Sequence, residues 1–348
     1  MGEASMERIE VTAEAADGER DPASTSAAHD PHSTLEEPSA GAMENDETHQ
    51  GFVWRLGGVI KTLRPHQWVK NAFVVAPVVF AREIFDPGLL TRAASAFGVF
   101  CLLAGAVYTM NDVVDVKADR VHPVKRYRPI PSGRVPLPLA KTLAGVLVVL
   151  ALGSALLLNV GFFAVAALYF LQNLAYSFKL KKVPYLDVSL IALGFVLRVE
   201  AGGFATHISV SRYLIACTAL LALFLGFGKR RHELAAAAAD LGKTRASLER
   251  YTTGGLDTAL VVTAVATIGV YLAYTLDPST RAFFRTDYLW PTTAFVVAGV
   301  LRFLQLVRTR PKAESPTQEM LRDGPFVGIL LLWIGLVLWI VYNLRPGG

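Results

Sequence analysis

From Gly51 onward the chain alternates long apolar stretches with short polar connections, and most stretches approach the ~20 residues an α-helix needs to cross a bilayer core. Nine are predicted, at about 71–85, 93–114, 137–157, 160–177, 185–203, 210–228, 257–276, 287–307 and 325–343. The expected fold is all-α, a polytopic transmembrane bundle of nine helices built from residues 51–348. The first stretch is short unless residues before Asn71 extend it. Residues 1–50 break the pattern, with no aromatic residue and no apolar periodicity, and are expected to form a disordered acidic tail. They lack the basic start and apolar core of a secretory signal.

Composition agrees with lipid as the solvent: 53% of the 348 residues are hydrophobic and the mean hydropathy is +0.40. The net charge of +5 hides a split, because residues 1–50 hold 13 acids against Arg8 and Arg20, a balance of −11 that leaves +16 for the remainder. A basic membrane domain suits membrane lipids with anionic headgroups and phosphorylated substrates. Its cations lie between apolar spans, which argues against nucleic acid as a partner. Cys101 and Cys217 sit within apolar runs and read as buried thiols rather than a disulfide or metal pair. Lys and Arg also alternate by connection. Arg55, Lys61, Arg64 and Lys70 precede the first stretch, only Arg82 and Arg92 follow it, and Lys117, Arg120, Lys125, Arg126, Arg128 and Arg134 fill the next connection. The positive-inside rule then places the N-terminus and even-numbered connections in the cytoplasm and the C-terminus outside the cell membrane.

The sharpest chemical signal is the run Asn111-Asp112-Val113-Val114-Asp115-Val116-Lys117-Ala118-Asp119. Its acids fall at i, i+3 and i+7 at the end of an apolar stretch, on one helical face. Carboxylates so close, and so near lipid, need a cation. Mg2+ suits them, since it takes one or two carboxylates together with phosphate oxygens; a loop start paired with neighbouring Lys and Arg is the plainer reading. Next comes Lys125-Arg126-Tyr127-Arg128-Pro129-Ile130-Pro131-Ser132-Gly133, in which guanidinium groups could grip phosphate in pairs, or which could be an ordinary positive-inside loop. Asp187, Arg198 and Glu200 interrupt the fifth stretch, where Arg198 either neutralises a phosphate or pairs with Glu200 or another acid. His66, His207 and His232 show no metal-ligand spacing.

These motifs resemble the UbiA superfamily of intramembrane prenyltransferases, whose signature is an N-D-x-x-D-x-x-x-D stripe followed by a K-x-R-P-I-x-x-G-like segment. Here the stripe is Asn111, Asp112, Asp115 and Asp119, and the segment is Arg126, Arg128, Pro129, Ile130 and Gly133. The resemblance covers about residues 57–343 and implies a nine-helix fold, a cytoplasmic active site, magnesium as cofactor, and Asp112, Asp115 and Asp119 as metal-binding catalytic residues. Members that use an aromatic acceptor usually carry a second acidic motif after the sixth span. This chain has Gly228-Lys229-Arg230-Arg231-His232-Glu233-Leu234 there, cations in place of a metal-binding face. A cationic pocket suits a substrate with further phosphate groups.

Together with Arg64 and Lys70 before the first span and Tyr176 and Lys179 after the fourth, the set is similar to one branch of the family. That branch moves 5-phosphoribose from phosphoribosyl pyrophosphate to a polyprenyl phosphate such as decaprenyl phosphate, releasing diphosphate, for cell-wall arabinan. The resemblance implies Asn111, Arg64, Lys70, Lys125, Arg126, Arg128, Tyr176, Lys179, Arg198, Lys229, Arg230, Arg231 and Glu233 as substrate-binding residues. A homo-oligomer is compatible with such a bundle. Two other readings stay open: prenyl transfer from an isoprenoid diphosphate to an aromatic or haem-like acceptor, and a transporter or lipid-binding protein without chemistry.

Overall fold

The structure is a computed structural model that describes residues 51–239, 250–309 and 316–343; the acidic stretch 1–50 lies outside them. Regular structure among the described residues is entirely helical. Helix α1, Phe52–Leu63, ends at Arg64, whose left-handed backbone (φ 51°, ψ 60°) turns the chain into a 3-10 segment, Pro65–Val75. A short helix α2, Ala76–Phe80, follows. The expected first span, 71–85, is therefore not one continuous helix. Arg64 before Pro65 is left-handed and Asp86 before Pro87 is extended, while Pro77 stands in the first turn of α2 and withholds its backbone N–H, so the chain advances in short pieces.

Beyond it come α3, Pro87–Val114; the short α4, Val116–Arg120; α5, Leu137–Leu158; α6, Val160–Phe178; and α7, Leu186–Thr206. Then follow α8, Arg212–Ala239; α9, Thr253–Leu276; α10, Pro278–Phe284; α11, Thr293–Thr309; α12, Pro316–Arg322; and α13, Gly324–Asn343. Seven described helices, α3, α5 to α9 and α11, are long and apolar enough to cross a membrane, and they fall on the second to eighth expected stretches. The ninth stretch falls on α13, whose apolar run Gly324–Ile340 is shorter.

Local chemistry sets the helix ends. Asp86 caps α3 by accepting the Leu89 N–H at 2.9 Å, with Pro87 at the first helical position, where its missing N–H costs nothing. Asn159 serves two helices: its Oδ1 accepts the Phe162 N–H at 2.7 Å to start α6, and its Nδ2 donates to the Phe204 carbonyl at 2.9 Å near the end of α7.

Two apolar clusters meet on α7. One joins Phe100 and Leu103 of α3, Phe162 and Tyr169 of α6, and Val74 to Leu197 and Ala201 of α7. The other joins Val188 of α7 to Phe224 and Phe227 of α8, Leu256 and Leu260 of α9, and Phe303 of α11. Side chains such as Leu157, 89% exposed, and Val149, 72% exposed, face outward, a surface that lipid rather than water would cover. The 3-10 segment is long for its type, whose hydrogen bonds are poorer than those of an α-helix. Packing on α7 holds it there. A Cβ at Gly202 would stand 1.9 Å from the Val74 carbonyl oxygen, so only glycine permits this backbone approach.

Candidate active site

The polar ends of α3, α6 and α8 gather with the 3-10 segment. At 28 residues α3 is about 42 Å long, more than the ~30 Å hydrocarbon core, so its last turn, with Asn111 and Asp112, reaches the level of the headgroups. The helix then breaks at Asp115 (φ −86°, ψ 3°), and Asp119 continues on α4. This break splits the expected single stripe of three acids. Asp112 and Asp119, both buried, converge on Arg128, whose Nη1 lies 3.3 Å from Asp112 Oδ1 and 2.8 Å from Asp119 Oδ2. Arg64 adds a contact of 2.6 Å to the same Asp112 oxygen, and Lys125 reaches Asp119 Oδ1 at 3.7 Å. Asp115 turns instead to Lys181, 3.5 Å away, and stays half exposed.

Among the described residues no group of three His, Cys, Asp or Glu side chains is arranged to hold a metal ion. Arg64 and Arg128 already supply the counter-charge to the acids. The donor set nonetheless suits magnesium. Both guanidinium contacts to Asp112 fall on Oδ1 and the Lys181 contact to Asp115 falls on Oδ2, leaving one oxygen of each turned from those cations. Two carboxylates completed by substrate phosphates and water meet the usual demand of that ion without an all-protein cage.

Across from the acids is a cationic pole. Arg198, buried within α7, donates to Asn71 Oδ1 at 2.9 Å, to the Gly194 carbonyl at 2.9 Å and to Tyr169 Oη at 2.7 Å, and lies over the Tyr169 ring at 4.7 Å. Each of its three nitrogens thus donates one hydrogen bond, but no partner carries a formal negative charge. Glu200, two residues on, projects from another side of the helix. Lys70 is close enough to feel Lys229, Arg198 and Arg64. Its side chain keeps exposed surface, yet lost hydration around the ammonium, followed by repulsion from Lys229, Arg198 and Arg64, brings its pKa down to about 8.

The other expected residues divide. Arg230 faces inward, its Nε 2.7 Å from the fully buried Asp187 and its Nη1 2.5 Å from Glu233. Tyr176 lies near enough to interact with it electrostatically. Arg231 pairs with Asp257 of α9 at 2.8 Å. Arg126 is exposed and folds onto its neighbour Tyr127, 4.8 Å from the ring, away from the acids. Lys179 is exposed at the end of α6. Residues that sequence reasoning did not single out as part of the site are Asn71, Tyr169 and Lys181. Asn71 and Lys181 stood in the polar segments flanking the first and fourth spans, a usable signal, whereas Tyr169 is one aromatic among many in an apolar helix.

An apolar cavity of about 920 Å³ is lined in part by the end of the 3-10 segment, from Phe73 onward. Phe73, Phe80, Leu221, Phe224, Tyr271 and Trp333 are among its lining residues. Phe73 also packs edge-on against Phe195 at 5.0 Å, and Phe195 lies 5.3 Å from the Arg198 guanidinium. Phe73 and Phe195 thus link the cavity lining to the Arg198 guanidinium.

The chain is 34% identical over 314 residues to the decaprenyl-phosphate phosphoribosyltransferase of Corynebacterium glutamicum, covering 88% of this chain and 93% of that protein. It is 36% identical over 301 residues to the protein of the same name from Mycobacterium tuberculosis, covering 85% and 98%. In fold it is similar to a UbiA homologue from Archaeoglobus fulgidus bound to DMAPP and Mg2+, with a TM-score of 0.59 at 19% identity, covering 82% of this chain and 99% of that one. Residues 72–323 match the UbiA prenyltransferase family, and the chain belongs to it.

Proposed function

We propose that this protein transfers 5-phosphoribose from phosphoribosyl pyrophosphate to a polyprenyl phosphate, decaprenyl phosphate by analogy with the named relatives, with release of diphosphate. The chain would cross the cell membrane nine times, the broken segment 71–85 and α13 making the first and last crossings. The N-terminus and the active site would face the cytoplasm and the C-terminus the outside, and residues 1–50 would not be needed for catalysis. One observation carries the reading. Lys70 and Arg198 converge with no carboxylate in salt-bridge contact among the described residues, beside acids suited to a metal-bound diphosphate. A buried cation without a counter-ion is costly, and a phosphate group on the substrate relieves that cost. An ordinary isoprenoid diphosphate has one diphosphate and would leave the second pole unfilled.

Asp112 and Asp115 would hold Mg2+, which supplies charge neutralisation of the departing diphosphate. Arg64, Arg128 and Lys125 keep the acids oriented and add positive charge on the diphosphate side. Lys70, Arg198 and Lys229 receive the 5-phosphate. As the bond from the anomeric carbon to diphosphate breaks, an oxygen of the acceptor phosphate forms the new bond from the opposite face, inverting an α-linked donor to a β product. That acceptor is already anionic at neutral pH. No side chain has to remove a proton, so positioning and fixed charge account for the rate. Lys181 and Lys179 border the acceptor's approach, and the apolar cavity behind Phe73 takes part of its tail.

The test is turnover by the purified full chain in nanodiscs with labelled phosphoribosyl pyrophosphate, polyprenyl phosphate and Mg2+. A lipid-soluble phosphoribosyl product is expected. Tight farnesyl diphosphate binding without measurable phosphoribosyl pyrophosphate binding would restore ordinary prenyl transfer.

A further inference from the structure

Helix α7 begins on strained backbone. Tyr185 has φ 64° and ψ −41°, and the Leu186 N–H donates to the Pro184 carbonyl at 2.7 Å, closing a γ-turn of the rare hand. A bulky aromatic residue adopts this conformation only when its surroundings impose it. Tyr251, just before α9, imposes it. Its Oη accepts the Tyr185 N–H at 2.7 Å, and the two rings pack 4.9 Å apart. The first turn of α9 closes from above, where a Cβ on Gly255 would lie 2.4 Å from Tyr185 Oη.

The same Tyr251 hydroxyl donates to Asp187 Oδ1 at 2.5 Å, and Asp187 Oδ2 accepts Arg230 Nε at 2.7 Å. Arg230 is shared, since its Nη1 also meets Glu233 at 2.5 Å. Burial and the bond to Asp187 push the Tyr251 pKa up, so the phenol stays a proton donor across physiological pH. Tyr251 is 5% exposed and Asp187 is fully buried, which leaves no room for water to replace a lost bond.

We infer that Tyr251 is a positioning residue for the phosphate-bearing donor: through Asp187 it fixes Arg230, and with Arg230 the turn of α8 that carries Lys229 near Lys70. This rests on the function proposed above. Without the hydroxyl, Asp187 Oδ1 loses its donor and competes with Glu233 for the one guanidinium. Arg230 then turns toward Asp187 with both nitrogens, Glu233 is released, and Lys229 shifts from the donor phosphate. No reacting atom is touched, so binding suffers and the chemical step does not.

The experiment compares the wild-type full chain with Tyr251→Phe in nanodiscs. The KM for phosphoribosyl pyrophosphate is expected to rise about tenfold, the size of one hydrogen bond to a charged group. The kcat and the KM for polyprenyl phosphate should stay within about twofold, as for lost ground-state binding. Thr252→Ala removes the cap of the same helix, the hydroxyl that accepts the Gly255 N–H at 3.1 Å, without touching Asp187. It should lower the melting temperature and leave the donor KM unchanged. In a double-mutant cycle with Arg230→Lys the two changes should be non-additive. An unchanged donor KM in Tyr251→Phe, an equal rise in Thr252→Ala, or additivity with Arg230→Lys would overturn the assignment. If Tyr251→Phe does not fold, Asp187→Asn is judged by the same KM-against-kcat split. Inorganic phosphate is titrated alongside: a wild type that forms no phosphoribosyl lipid refutes the proposed function, and the role of Tyr251 is then decided by whether Tyr251→Phe weakens phosphate binding.

Discussion

Arg64 reaches Asp112 across 2.6 Å, joining the left-handed turn after α1 to the last turn of α3. The contact ties the start of the bundle to an acid that the proposed reaction needs. Asp112→Asn and Asp115→Asn should each reduce transfer by about 10²-fold or more, the range seen when one electrostatic partner of a transition state is lost. Folding should survive, since Arg64 and Arg128 keep hydrogen-bond acceptors on the asparagine. Turnover at saturating Mg2+ beside a melting curve in detergent checks both points, and near-normal turnover in both variants would remove the acids from the mechanism.

Lys70 gives a pH dependence of definite sign. Its free-state pKa of about 8 lies below the usual value because burial and the neighbouring Lys229, Arg198 and Arg64 disfavour the charged form. A bound phosphate opposes all of these and raises the pKa, so binding takes up a proton near pH 8 and donor affinity falls as pH rises above it. For the fold the sign is reversed: a lowered lysine pKa costs stability while the group is charged, and that cost fades as pH rises from about 8 toward 10.5. Calorimetry in buffers of differing ionisation enthalpy reads the proton uptake. Lys70→Met should bind more weakly and lose this dependence; an unaltered profile in Lys70→Met would show that another group titrates.

The sequence carried much of this architecture because apolar run length and alternating Lys and Arg are local signals. Seven of the expected stretches fall on helices long enough to cross a membrane. It misread the segment 71–85, since hydropathy reports solvent preference and is blind to Pro77 within the segment and to Pro65 and Pro87 on either side of it. The acidic stripe was legible in its spacing. Its split at Asp115 was not, because the partners that receive the separated acids, Arg128 and Lys181, come from other elements. Arg230 is the sharpest difference: composition suggests a free phosphate-binding cation, whereas burial spends its charge on Asp187 and Glu233. Asp187 inside an apolar stretch was the available hint, since a buried acid calls for a buried base.

Gly202 should tolerate no side chain. Its α-carbon faces the Val74 carbonyl so closely that an added Cβ would lie at 1.9 Å, against backbone that cannot swing aside. Gly202→Ala should push the 3-10 segment off α7, at a cost of about 1–3 kcal/mol or more, and carry Asn71 away from Arg198. Lower melting temperature together with weaker donor binding is expected. Gly98 on α3, with nothing within 4 Å of an added Cβ, is the control, and Gly98→Ala should change neither.

Arg230 and Arg231 are adjacent in sequence yet should differ sharply on substitution. Arg230 is buried between Asp187 and Glu233, so Arg230→Met strands a carboxylate with no exposure and should cost about 3–5 kcal/mol, as breaking a buried pair does. Arg231 meets Asp257 where both side chains reach solvent, and Arg231→Met should cost about 1 kcal/mol or less. Melting temperatures in one detergent give the comparison directly. Adding Asp187→Asn to Arg230→Met should recover part of the loss, because the stranded charge is removed with its partner. Equal, small shifts for the two arginines would mean that water reaches Asp187, and the buried network would then be no anchor for the end of α8.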